Sequence, residues 1–343
     1  MKANVTYVGL DYHLKSVQVC AMDAEQKVLL NRSCANDWRK IAQQVQGFGG
    51  QVQAAIEVCC GSANLADELV NRAGWSVNLA HPGYVSRMKQ SPDKTDFSDA
   101  RLLADLERVG YVPRVWHAPA YIVELRRLIS HRRALVNERR NLKLRIGALL
   151  RDQRIFDAPA KRWTKRWLKW LQGPAPLSAE SRWIIEMKMT QLRQVLELID
   201  HVHRRLQHYI QDDPLVARLQ QYRGIGLITA CIMRASIGRF DRFRNGKQLA
   251  RFCGTSPRNA ASGQHQATAG LIGACDRHLR ATLIEAAHRL KRFDPYWQTF
   301  AAPAAVGRPL LKRGKRKNVV VAAVANRFVR RLYHDMKPLG LGC

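Results

Sequence analysis

The sequence predicts an N-terminal α/β domain with a mixed sheet, followed by a longer part that is mainly helical. Two observations carry this prediction. Short apolar runs bounded by turn residues fill the first 110 of the 343 residues, whereas apolar residues after Ala118 recur at helical spacings. The charge changes at the same place, because residues 1–110 hold 12 basic and 12 acidic residues and residues 111–343 hold 45 and 15.

The N-terminal part begins as a strand meander and continues as alternating strands and helices. Strands are predicted at 5–10, 16–22 and 27–31, with 23–26 as a hairpin turn. A helix at 37–48, a strand ending at Glu57, a helix at 64–73, a strand at 75–80 and a short helix opened by Pro82 follow. This order is typical of a ribonuclease-H-like (RuvC-like) mixed sheet.

The middle of the chain predicts two long helices. Apolar residues from Leu125 to Leu150 mostly recur at spacings of three, four or seven, and a second helix covers 178–211 after the Gly/Pro break at 173–176. The pair suggests an antiparallel or dimerising coiled-coil arm. Two helices packed on the body of the protein would also explain the pattern. The predicted domains are therefore 1–110, 111–212 and 213–343.

The last part predicts mainly helices around one polar hairpin. Gly224-Ile225-Gly226 joins two helical stretches and can present backbone N–H groups to a DNA phosphate. The remaining predicted elements are a helix at 246–252, a turn at 254–257, a hairpin at 258–268 and helices at 276–293 and 318–334.

The composition indicates a nucleic-acid partner. The formal net charge is +30, all of it after residue 110, and such a surplus favours polyanions, with membrane surfaces as the weaker alternative. No apolar stretch reaches membrane-spanning length and no signal-peptide core opens the chain, so we expect a cytoplasmic protein. The eight cysteines include no C-x-x-C pair, which favours reduced thiols over a zinc site or disulfides.

A segment at 161–170 interleaves five cations with three tryptophans, as in surfaces that stack on bases and contact phosphates. Alternatively, Trp163, Trp167 and Trp170 pack inward at helical spacing while the cations face solvent or phosphate. Candidate nucleic-acid-binding residues lie in this segment, beside the Gly-Ile-Gly turn, in the hairpin and in the basic run before the last helix. They are Arg162, Lys165, Arg166, Lys169, Arg223, Arg258, Lys312, Arg313, Lys315, Arg316 and Lys317.

Four acidic residues are the candidate metal ligands. Asp11 and Glu57 each end an apolar strand, and Asp96 and Asp99 are spaced i, i+3 on one helix face. Together they could converge on Mg²⁺ ions and act on a phosphodiester. Taken singly, each has an ordinary explanation as a strand end, a sheet-edge residue or a helix cap.

Two motifs in this order resemble the transposases named for insertion sequence 110. The first is Gly9-Leu10-Asp11 with Glu57 and the Asp96/Asp99 pair, which is similar to the RuvC-like DEDD domain of that family. The second is the stretch from Gly254 through Pro257 to Ser262-Gly263, which resembles the C-terminal transposase domain. The resemblance spans most of the chain.

The resemblance implies a DNA transposase or recombinase that uses a structured guide RNA to pair with donor and target DNA. It implies that Asp11, Glu57, Asp96 and Asp99 bind Mg²⁺ and that Ser262 is the nucleophile of a phosphoserine intermediate. The sequence itself offers Ser256, six residues earlier beside Pro257, as a competitor, although a turn or N-cap role suits that residue better. The resemblance also implies a homo-oligomer, a dimer or tetramer, working at the nucleoid. A RuvC-like nuclease that uses water, or a non-catalytic nucleic-acid-binding protein, are the alternatives.

Overall fold

The computed structural model describes residues 5–89, 95–262, 265–301 and 316–342, with side chains for these ranges except 259–269 and 340–342. The chain folds as two compact units, Met1–His117 and Ala118–Cys343. The predicted boundary after residue 110 lies close to this division. The further boundary predicted after residue 212 stays a prediction.

The first unit contains a five-stranded mixed sheet, as the sequence predicted. Its strands are β1 Val5–Tyr12, β2 Ser16–Met22, β3 Val28–Ala35, β4 Gln51–Glu57 and β5 Ser76–Ala80. The spatial order is β3-β2-β1-β4-β5. Strands β1, β2 and β3 pair antiparallel, whereas β1 with β4 and β4 with β5 pair parallel. The two central strands, β1 and β4, therefore end at the same edge of the sheet.

Helices cover both faces of this sheet. They are α1 Trp38–Val45, α2 Ser62–Ala73, α3 Pro82–Met88 and α4 Asp96–Arg108. Val8, Leu10 and Ile56 pack on one face with residues of α1 and α2. The alternate residues face α4, where Ala55 packs with Leu103. Strand periodicity thus sends successive side chains of β1 and β4 into different layers of the core.

Gly9 allows α4 to lie directly against β1. A Cβ atom at Gly9 would lie only 1.9 Å from the Ala100 carbonyl oxygen and 2.5 Å from the Ala104 nitrogen. Ala100 and Ala104 are fully buried beside Cys20 and Met22 of β2. The small residues on both elements therefore set a short distance between the sheet and this helix.

The second unit begins with two long helices that pack antiparallel. They are α5 Ala120–Asp152 and α7 Ala179–Tyr209, with the short α6 Lys165–Gln172 between them. The Tyr121 and Tyr209 rings stack at 4.9 Å, and Gln153 Nε2 donates to Ser178 Oγ at 2.8 Å, so opposite ends of the two helices meet. This confirms the antiparallel form of the predicted arm. Dimerisation through it stays a prediction.

The remainder of the second unit is a helical core with one hairpin. Its elements are α8 Pro214–Gln220, α9 Leu227–Ile237, α10 Gly246–Phe252, β6 Pro257–Ser262, β7 His265–Leu271, α11 Arg277–Phe293, α12 Pro295–Ala301 and α13 Lys317–Met336. A buried ion pair joins α9 to the residue before α8, with Arg234 Nε 2.6 Å from Asp213 Oδ2. Among all the helices that the structure describes, none has both the length and the apolar composition needed to cross a membrane.

Candidate functional site

Two of the four candidate ligands lie where the central strands end. Leu10 pairs with Ile56 in the parallel β1–β4 register, so Asp11 and Glu57 are the next residues on neighbouring strands. Asp11 alternates with Leu10 and so faces the same side as Gly9, against which α4 packs. The same alternation puts Glu57 on the side of Ala55, which packs with α4 residues. Both carboxylates thus belong to the α4 face of the sheet.

The other two candidates lie in the first turn of α4. Thr95 begins this helix: its Oγ1 accepts from Ser98 N at 3.2 Å, and Ser98 Oγ accepts from Thr95 N at 3.3 Å. Because Thr95 supplies the cap, Asp96 and Asp99 are not needed for capping, contrary to one explanation that the sequence left open. Asp96 lies one turn before Ala100, the residue against Gly9, so it faces the end of β1.

His13 completes a three-residue cluster with Asp11 and Asp96. Its Nε2 lies 3.3 Å from Asp11 Oδ2 and 3.2 Å from Asp96 Oδ2. One potential ligand atom from each of these residues lies within 4.8 Å of the others. His13 is not among the residues predicted from the sequence. The signal that could have found it is its position two residues after Asp11, just beyond the strand end.

Asp99 is held by a lysine that the sequence analysis also missed. Lys89 Nζ donates to Asp99 Oδ2 at 2.6 Å, and both side chains are largely buried. Asp99 is nevertheless close enough to Asp11 for its charge to act there. Burial, with the charges of Asp96 and Asp99, raises the pKa of Asp11 above its ordinary value, while His13 opposes this rise.

This donor set fits a hard divalent cation. Carboxylate oxygens are the ligands that Mg²⁺ prefers, and crowded carboxylates gain from a cation that neutralises their repulsion. In the structure, Lys89 provides part of that neutralisation at Asp99. The cluster can therefore bind a metal ion in one of two ways. The ion either displaces the His13 imidazole from Asp11 and Asp96 or takes it as a further ligand.

Ser262, the candidate nucleophile, ends β6 and pairs in register with His265 across the hairpin. Its side chain lies outside the described side chains. Its competitor Ser256 has an evident structural role, since its Oγ accepts from Asn326 Nδ2 at 3.3 Å and its carbonyl accepts from Ile272 N at 3.1 Å. Gly254 of the same motif has a φ of +66°, and a Cβ there would lie 2.2 Å from Cys275 Sγ.

The tryptophans of segment 161–170 pack inward. Trp167 is 1% exposed in a core shared by α5, α6 and α7, and Trp163 and Trp170 pack against that core. This confirms the inward-packing interpretation of the rings, so they do not form an open stacking platform. The cations Arg162, Lys165, Arg166 and Lys169 are exposed and remain candidates for phosphate contact.

The other candidate cations are scattered over the second unit. Arg223, Arg258, Arg316 and Lys317 are exposed, whereas Lys312, Arg313 and Lys315 lie outside the described residues. Gly224, in the predicted phosphate-binding turn, has a φ of +89° and packs against Arg289 of α11, where a Cβ would approach to 2.8 Å. Packing against α11 thus explains why the first residue of this turn is glycine. The contact of the turn with a phosphate stays a prediction.

A mixed sheet that gathers carboxylates at the end of its central strands, joined to a strongly basic helical unit, defines the class of RuvC-like DNA-processing proteins. Comparison with known families narrows this class. Residues 8–155 match the transposase model of the DEDD domain of IS110, and residues 216–302 match the model described as transposase IS116/IS110/IS902 family. The chain belongs to the IS110 family of insertion-sequence transposases.

Similar proteins carry related names. A probable family 20 transposase of Pseudomonas aeruginosa is 29% identical over 342 residues, which cover 96% of each chain. The transposase for insertion sequence element IS1328 of Yersinia enterocolitica is 24% identical over 95% of each chain. The transposase for insertion sequence element IS1111A of Coxiella burnetii is 26% identical over 84% of this chain and 79% of its own. Full-length similarity therefore includes both units.

Proposed function

We propose that this transposase cuts and rejoins DNA with Mg²⁺ held by Asp11, Glu57, Asp96 and Asp99 and with Ser262 as the nucleophile. The observation that carries the proposal is the convergence of Asp11 and Asp96, 85 positions apart in sequence, within one cluster at the end of β1. Capping does not account for this convergence, because Thr95 already caps α4. Crowded carboxylates are typical of phosphodiester-processing metal sites.

When bound, Mg²⁺ would activate a nucleophile and stabilise the departing oxygen. The residues of this chain would hold it through carboxylate oxygens from two strands and one helix. Lys89 keeps the carboxylate of Asp99 oriented, and His13 bridges Asp11 and Asp96. These contacts would keep the ligands in place before DNA arrives.

In the proposed step, Ser262 Oγ attacks a DNA phosphorus, loses its proton and forms a phosphoserine ester, while the displaced deoxyribose oxygen leaves and takes up a proton. Serine is a weak nucleophile at its ordinary pKa and needs activation. The resemblance to the family supports carboxylates of one subunit acting with the serine of another, which requires a dimer or tetramer. It also supports a guide RNA and action on donor and target DNA in the cytoplasm.

The proposal is tested by recombination of donor and target DNA with Mg²⁺ and with the RNA that copurifies. We expect Asp11→Ala and Ser262→Ala each to abolish product while nucleic-acid binding survives. Asp67→Ala, an exposed aspartate on α2, and Ser256→Ala are the matched controls and should retain product. Full recombination by Ser262→Ala would exclude the serine mechanism.

The type of product separates the proposal from hydrolysis by water. Denaturing gels should show a protein–DNA adduct that resists SDS, and this adduct should vanish in Ser262→Ala. Free cut ends without adduct would identify a hydrolytic nuclease instead. Sequencing the copurified RNA tests guidance: a discrete RNA from the flanks of the gene is expected, and random cellular RNA would contradict it.

A further inference from the structure

A basic pocket lies on α5 of the second unit. We call it the α5 pocket and define it by Arg139, Lys143, Gly147, Arg151, Arg162 and Trp163. Its volume is about 390 Å³, and its lining includes the apolar side chains of Val136 and Leu144. Among the described residues that line it, none is acidic. The pocket therefore combines apolar side chains with several cations.

Two arginines converge over the single glycine of α5. A Cβ at Gly147 would lie 3.4 Å from Arg162 Nη1 and 3.5 Å from Arg151 Nη1. Over the described part of the chain, no carboxylate pairs with either guanidinium group. Two unpaired guanidinium groups that lie near the same position repel each other, and an anion bound between them would offset that repulsion.

A third cation is fixed at the same pocket by Trp163. Lys143 Nζ lies over the Trp163 ring at 4.5 Å, and the centroid of the Trp167 ring lies 4.9 Å from that of Trp163. Burial and the charge of Arg139 lower the pKa of Lys143. Trp163 also has a φ of +70°, an uncommon conformation for a bulky residue that strains the backbone. Its ring thus positions a lysine at the pocket.

We propose that the α5 pocket binds one nucleotide of a single-stranded or looped nucleic-acid segment, with its phosphate between Arg151 and Arg162 and its sugar or base against the apolar side chains of Val136 and Leu144. A lone phosphate would leave most of the 390 Å³ empty. A base-paired duplex keeps its bases stacked inside and can offer only its backbone, whereas an unpaired nucleotide can enter a pocket. This inference rests on the nucleic-acid binding of the proposed function and is independent of its metal chemistry.

The test measures binding of the full chain in EDTA, so that cleavage plays no part. The probes are a labelled single strand of mixed sequence, as DNA and as RNA, and the blunt DNA duplex of the same sequence. Arg151→Ala with Arg162→Ala removes two cations from the pocket. Arg204→Ala with Arg205→Ala, two exposed residues of α7, removes the same charge elsewhere. Gly147→Leu fills the pocket without changing charge, and its folding is checked by thermal melting.

We expect both pocket variants to weaken binding of at least one single strand by about tenfold or more, the scale of losing charge-assisted contacts to one phosphate. The affected polymer identifies whether RNA or DNA occupies the pocket. The duplex and the α7 control should change by less than about threefold. Gly147→Ala adds a smaller obstruction and favours the helix, so it serves if the leucine variant does not fold.

The proposal would be overturned if the pocket variants lost as much affinity for the duplex as for the single strands. It would also be overturned if the α7 variant lost as much affinity as the pocket variants, because both results indicate general charge attraction. Unchanged binding by a folded Gly147→Leu or Gly147→Ala variant would also overturn nucleotide insertion. If the wild-type chain bound neither strand nor duplex, the proposed nucleic-acid function would fail, which is a different result from failure of the pocket.

Discussion

Replacing Gly9 by alanine should separate the acidic residues of α4 from Asp11 in the candidate metal cluster. The new Cβ would lie 1.9 Å from the Ala100 carbonyl oxygen, whereas ordinary contact begins at 3.4 Å. Helix α4 would therefore have to recede by about 1.5 Å, because the obstructing atoms are backbone and cannot rotate away. Asp96 and Asp99 move with α4, whereas Asp11 stays on β1.

The expected consequences differ for stability and for activity. Overpacking of this kind typically costs about 1–3 kcal/mol, so the first unit should melt earlier but still fold. A displacement of about 1 Å at a catalytic group lowers rates by about a hundredfold. Mg²⁺-dependent DNA cleavage should thus fall by about two orders of magnitude, far more than the loss of folded protein explains.

Gly47→Ala is the matched control, because no atom lies within 4 Å of a Cβ at that position. Both variants are compared by thermal melting and by cleavage rates at saturating Mg²⁺. A Gly9→Ala protein with the wild-type melting temperature and cleavage rate would refute the close packing of α4 on β1 and its role in holding the ligands.

Three further predictions concern stability. Burial raises the pKa of Glu107 above 4.5, and its Oε2 has no hydrogen-bond donor in the described structure, so ionisation disfavours folding. At pH 7 the unfolding free energy of Glu107→Gln should exceed that of the wild type by about 1–3 kcal/mol, which thermal melting would show. This difference in unfolding free energy should disappear as the pH falls through the raised pKa of Glu107 towards 4. Thr95→Ala should cost about 1 kcal/mol and speed amide exchange in the first turn of α4, as hydrogen exchange would show. Asp213→Ala leaves Arg234 buried without its partner and should cost about 3–5 kcal/mol by urea unfolding, whereas Asp212→Ala, an exposed neighbour, should cost little.

Local patterns were enough to predict most elements of this fold. The strand that ends at Glu57 and the hairpin predicted at 258–268 appear as β4 and as β6 with β7. Both depend on short-range signals, since apolar runs and turn residues act over a few positions. The segment at 161–170 shows the limit of periodicity. The tryptophan spacing suggested one helix through Trp163, but Thr164 caps α6, which begins at Lys165.

The contacts that shape the candidate site could not be predicted in the same way. His13 contacts Asp96, which lies 83 positions later in the sequence, and Lys89, the residue after α3, contacts Asp99 of α4. These pairs depend on how closely α4 approaches the sheet, which no local pattern encodes. Gly9 controls that approach through the absence of a side chain, and an isolated glycine in a strand has several possible explanations.

The distribution of charge gives a physical reason for keeping the metal ligands and the cations in different units. A carboxylate cluster repels nucleic-acid phosphates, and the charge of the first 110 residues is balanced. Attraction must therefore come from the second part of the chain, which holds the whole surplus of +30. Among the acids themselves, Asp99 is offset by Lys89. A divalent cation would reduce the local repulsion of phosphate, so metal binding should strengthen DNA engagement as well as supply chemistry.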